Sequence, residues 1–142
     1  MPTLDELHAA VRAAREDVCA AIQSAGEAWE REPEHGEGEE AWSPRQVAEH
    51  VASAEALYAG RMCVLAGHPG VEEASPNYPT PAAAAAGLMS QGDLLDQTTA
   101  AITEADLSIP HERLTNVEGF FHFRVQHLRD HANQIRTAAA AS

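Results

Sequence analysis

Two histidines, His127 and His131, stand four residues apart in the stretch FFHFRVQHLRDHANQIRTAAA, and a third, His50, lies in WSPRQVAEHVASAEALYAGRM. On an α-helix, side chains at i and i+4 share one face, with Cβ atoms about 5–6 Å apart. Two imidazoles so placed reach one metal ion, and a helix carrying His50 packed against them completes a three-histidine site. Three neutral imidazoles with an open fourth position suit Zn²⁺, Ni²⁺ or a similar borderline divalent ion, and leave room for water or substrate. Spacing alone carries little weight, because a chain with 8 histidines produces such a pair by chance. Placement carries more: all three fall on inward stripes, where an unpartnered polar ring costs free energy. The bland alternative is three core histidines satisfied by carboxylates, carbonyls or water.

Other metal chemistries are excluded by spacing. A zincin needs HExxH, whose glutamate is the general base, but Leu128 follows His127. A di-iron bundle needs Glu-x-x-His from two helices, and the residues three before His50, His127 and His131 are Val47, Arg124 and Leu128. Glu49, Arg124 and Asp130 are candidates for orienting the site or its substrate, against the simpler reading of helix-face charges. No catalytic side chain is singled out. His35, His68 and His111 read as exposed loop residues, His8 falls one position off a core stripe, and His122 lies off the face of His127 and His131.

The elements that must position these residues are helices. A first helix is expected from about Thr3 to Arg31, with a Thr3/Glu6 capping box and Leu4, Leu7, Val11, Val18, Ile22 and Trp29 at helical spacing. Pro33, Gly36, Gly38 and a run of glutamates then make a solvated loop. The second helix has Ser43 as N-cap, Pro44 at N1, Gln46 at N3, and Trp42 as a hydrophobic staple on Val47. Its inward stripe reads Val47, His50/Val51, Ala54, Leu57/Tyr58, Met62 and Leu65, and Gly67 stops it. A third helix begins near Thr80-Pro81 and carries Leu88, Leu95, Thr99 and Ile102 on one stripe, with Gly87 and Gly92 weakening it. The last is expected to start at a Thr115/Glu118 box, with Val117, Phe120/Phe121, Arg124, His127/Leu128, His131 and Ile135 inward; the closing AAAAS reads as its frayed end.

Four amphipathic helices and almost no strand signal predict an all-α fold, a four-helix bundle with long inter-helix connections, as a single domain over residues 1–142. The long connections leave a simple up-down-up-down order open. Lys+Arg 9 against Asp+Glu 22 makes the net charge −13, and every basic residue except histidine is arginine. That bias fits a high-GC bacterial genome. An acidic chain without a basic stripe is unsuited to nucleic acid. No apolar run approaches the roughly 20 residues that span a bilayer, and the N-terminus lacks the pattern of a signal peptide. Cys19 and Cys63 read as buried apolar residues in a reducing cytoplasm.

The stretch Trp42-Ser43-Pro44-Arg45-Gln46-Val47-Ala48-Glu49-His50-Val51, with His127-x-x-x-His131 followed by Asn133-Gln134-Ile135, resembles the DinB/YfiT-like superfamily of bacterial four-helix-bundle metalloenzymes. Length, helix number and the order of the three histidines agree over essentially the whole chain. The resemblance implies that His50, His127 and His131 are metal ligands. It also implies a thiol-dependent S-transferase or related detoxification activity on a small-molecule substrate, with a low-molecular-weight thiol as cosubstrate, or a hydrolase; relatives are often homodimers. The competing reading is a non-catalytic, stress-associated or partner-binding bundle whose histidines are structural or vestigial.

Overall fold

The computed structural model describes residues 2–140. Four helices dominate it: α1 (Leu4–Gln23), α2 (Pro44–Leu65), α3 (Pro81–Thr99) and α4 (Val117–Ala140), with a two-residue antiparallel ladder, β1 (Pro110–His111) and β2 (Thr115–Asn116), before α4. The all-α bundle is therefore as expected. Of the closing AAAAS, residues 138–140 continue α4 and the last two lie outside the described residues.

The starts of the first three helices follow local cap chemistry. Thr3 and Glu6 form the reciprocal capping box of α1, as do Ser43 and Gln46 for α2, while the Thr80 hydroxyl accepts from the Ala83 N–H at the start of α3. At the end of α2, Gly67 takes φ +83°, and His68 N–H bonds back to the Cys63 carbonyl at 2.9 Å, a Schellman closure.

Two boundaries differ from expectation. α1 stops at Gln23 rather than near Arg31, because Gly26 at φ +53° turns the chain into a short 3-10 segment, Gly26–Ala28. Trp29 keeps its core role without being helical: it is buried, and its Nε1–H donates to the Tyr78 carbonyl at 2.9 Å. At α4 the cap is Asn116, not Thr115. The Asn116 side chain accepts from Gly119 N–H at 2.9 Å, whereas Thr115 sits in the left-handed region at φ 74° within β2. Ile102 also lies past the end of α3, yet it is buried. On α2, Leu57 was expected inward and is 42% exposed.

α1 packs chiefly on α4 and α3, and α2 packs on the same two, so α1 and α2 are diagonal neighbours despite being consecutive. The long connections permit this arrangement. Phe121, Ile22, Met62, Leu88, Leu128 and Ile135 fill the centre. Two ion pairs cross it. Arg15 of α1 makes a fork to Asp96 of α3 at 3.1 Å, and Gly92 leaves the room: a Cβ there would stand 2.5 Å from Arg15 Cδ. The expected weak point of α3 is thus where a guanidinium passes. Arg124 of α4 makes a second fork, to Glu55 of α2 at 3.0 and 3.2 Å, with side chains only 1% and 3% exposed.

Candidate metal centre

α2 and α4 carry the three histidines to one place. One ring nitrogen from each of His50, His127 and His131 lies within 4.8 Å of the other two. Ring centroids are 4.3 Å apart for His127 and His131, 4.8 Å for His50 and His131, and 5.5 Å for His50 and His127. His131 is buried, while His50 and His127 are half-buried. The sequence-predicted face-to-face packing is realised: His50 lies two turns into α2, and His127 and His131 lie one turn apart on α4.

The hydrogen bonds decide which nitrogens face inward. Gln134 Nε2 donates to the Glu39 carbonyl, which can only accept, so the amide oxygen of Gln134 faces His131. His131 Nδ1 lies 2.7 Å from that oxygen and must therefore carry the proton. Its Nε2 lone pair is left to the cluster, where it stands 3.0 Å from Nε2 of His127. Neighbours on one tetrahedral zinc at about 2.0–2.1 Å Zn–N distance lie roughly 3.3 Å apart, so this pair is close to ligand spacing.

Charge state agrees. Burial, then the proximity of His131 and His50, pushes His127 down to about 4, and burial, then the proximity of His131, lowers His50. Both are neutral near pH 7, the form that binds metal. Partly offsetting carboxylates act from Glu39 on both rings and from Glu55 on His127. The rest of the wall is aromatic: Trp42 lies 5.2 Å from His50, while Phe123 stacks on His127 at 5.6 Å and Tyr58 meets it edge-on at 5.8 Å.

A family model described as the DinB superfamily matches residues 26–135. The chain belongs to the DinB superfamily. The match covers α2, α3 and the histidine pair of α4, and leaves out α1, whose place in this DinB-superfamily protein is the scaffold beneath α4. No curated protein and no solved structure matches the chain significantly.

The other sequence-predicted residues have different jobs. Glu49 accepts from Arg45 Nε at 3.0 Å and from Tyr78 N–H at 2.8 Å, tying down the α2–α3 connection rather than meeting the histidines. Asp130 is exposed and bonded to Gln126, one turn away. Arg124 is consumed by Glu55. Trp42 is more than a staple, since its indole walls the site. Of the outer histidines, His122 is exposed and pairs with Glu118, whereas His68 is half-buried against Asp106 at 2.8 Å. His111, expected in solvent, packs edge-on to Phe120 with centroids 4.9 Å apart. Sequence reasoning missed Gln134 as the partner of His131, although its i+3 spacing on one helix was a usable signal. It also missed Glu39 and Glu55, which no local pattern distinguishes from solvated glutamates.

Proposed function

We propose that this DinB-superfamily protein is a metal-dependent enzyme that holds one Zn²⁺- or Ni²⁺-class ion through His50, His127 and His131. In this reading its reaction is thiol-dependent S-transfer of a detoxification type on a small electrophile. The observation that carries the reading is the convergence of three ring nitrogens from two helices, one ring being oriented by Gln134. Such an ion, when bound, lowers the pKa of a coordinated thiol or water and so supplies a nucleophile at neutral pH. The chain's own part is to keep His50 and His127 unprotonated by burial, to fix His131 through the amide of Gln134, and to exclude bulk water with Trp42, Tyr58 and Phe123. The reading places the protein in the cytoplasm, in keeping with two buried, unpaired cysteines, and as a homodimer. Among the described residues no helix is long and apolar enough to cross a membrane.

The test is elemental analysis of untagged protein and of the His50→Ala, His127→Ala and His131→Ala variants, followed by turnover of an electrophile with a panel of cellular thiols. About one transition-metal ion per chain is expected, lost in each variant. A native protein without stoichiometric metal, or His127→Ala retaining it, sinks the reading. Metal without acceleration by any thiol or by hydrolysis would favour the non-catalytic bundle.

A further inference from the structure

A cavity of about 700 Å³ opens beside α2, away from the histidines, between that helix, the chain that leaves it at residues 70–74, and the hairpin before α4. Its size falls in the range of about 300–1,000 Å³ usual for small-molecule sites. Leu57, Val64, Val71 and Phe120 supply apolar wall, and Leu57 and Val64 are 42% and 63% exposed. Arg61 and His111 also line it, with Ser53 and Glu73.

Two features of the polar lining point to a ligand. Arg15, Arg45, Arg124, Arg129 and Arg136 each pair with a carboxylate, although the chain carries net charge −13. Arg12, Arg31, Arg61 and Arg113 have no side-chain ion-pair or hydrogen-bond partner among the described residues; of these four Arg61 alone lines the cavity, and Glu73, on the same lining, does not close on it. His111 is held by an unusual amount of backbone engineering. Its Nδ1 accepts from the N–H groups of Arg113 and Leu114 at 3.3 and 3.1 Å, so the proton of the neutral ring sits on Nε2. Thr115, its ladder partner, is in the left-handed region, costly for a β-branched residue. Leu114 O lies where a Cβ on Gly119 would stand, 1.7 Å away, so only glycine lets the hairpin close on α4. The product is a rigid N–H donor on the wall of an apolar cavity, with no partner among the described residues, and a spare guanidinium on the same wall.

We propose that this cavity binds an apolar monocarboxylic acid, its chain against Leu57, Val64, Val71 and Phe120 and its carboxylate on Arg61 and the Nε2–H of His111. The site is independent of the metal reading. Glu73 lines the same cavity and, as a like charge, opposes an anion bound there.

The experiment is a titration of the full chain with octanoate and with octanamide, followed by NMR chemical shifts and calorimetry. Octanoate is expected to bind about tenfold tighter than the amide, the scale of one charge-assisted contact at a partly exposed site. Arg61→Gln, an exposed change with no partner to disrupt, should erase that preference while leaving octanamide binding in place. Glu73→Gln should tighten octanoate severalfold and octanamide not at all. His127→Ala should change neither, so loss of the metal centre and loss of this site are separable. Equal affinity for acid and amide, a preference surviving Arg61→Gln, binding of neither probe, or octanoate binding lost in His127→Ala would each overturn the proposal.

Discussion

Replacing Arg124 by methionine should be the most damaging conservative change in the interface between α2 and α4. Arg124 and Glu55 are 1% and 3% exposed and joined by two hydrogen bonds, so removing the guanidinium leaves a carboxylate in the core with nothing to meet it. Breaking a buried pair from one side costs about 3–5 kcal/mol. For a chain of this size each kcal/mol lowers Tm by roughly 3–4 °C, so a fall of about 10–20 °C is expected. The double variant Glu55→Met/Arg124→Met removes both charges and keeps comparable volume, and should recover most of the loss. Because Arg124 stands three residues before His127 on α4 and Glu55 five after His50 on α2, the pair also sets the register of the helices that carry the histidines. Zn²⁺ affinity should therefore fall in Arg124→Met and return in the double variant. Urea unfolding monitored by circular dichroism gives the stabilities, and competition with a chromophoric chelator gives the affinities. A loss below about 1 kcal/mol for Arg124→Met, or a double variant less stable than the single, would refute the reasoning.

The pH dependence has a definite sign: His127 and His50 have folded values below the unfolded value of 6.5, so stability is intact above pH 6.5 and falls as pH drops below it, down to about 4, where the folded His127 ring charges. Thermal melts of metal-free protein between pH 7.5 and 4 should show that decline, and Zn²⁺ should raise Tm at pH 7 but not near pH 4. Gln134→Ala should leave the fold intact and weaken metal binding about 10–100-fold, measured by the same competition assay, because the partner of His131 Nδ1–H is gone. Thr115→Gly should stabilise by about 1 kcal/mol in urea unfolding, since φ 74° suits glycine and the side chain is exposed.

What could be read from residue order was whatever is decided within one turn. Ser43 and Gln46 announce α2 because both partners of the box are three residues apart, and the histidines announce themselves because helical stripes place them inward. The end of α1 was hidden: Trp29 continues the apolar period and is buried, but in a segment that Gly26 has already turned out of the helix. At α4 two cap-forming residues compete, and the tight hairpin puts Thr115 into the left-handed region and hands the cap to Asn116. Residues brought together from afar were illegible. Nothing local pairs Arg124 with Glu55 or lays the Glu39 carbonyl on Gln134. His111 read as a loop histidine because its anchors are main-chain N–H groups, which carry no sequence signature.

The diagonal placement of α1 and α2 governs how the protein can be made. The first helix finds its broadest packing surface on the last, so its apolar face has no adequate cover until α4 emerges. Contacts of such long sequence separation slow folding relative to a meander of equal size. The half-site on α2 meets its complement at the same late moment. Core closure and assembly of the histidine cluster therefore coincide, and a growing chain presents no complete trap for a stray ion before it has become a folded one.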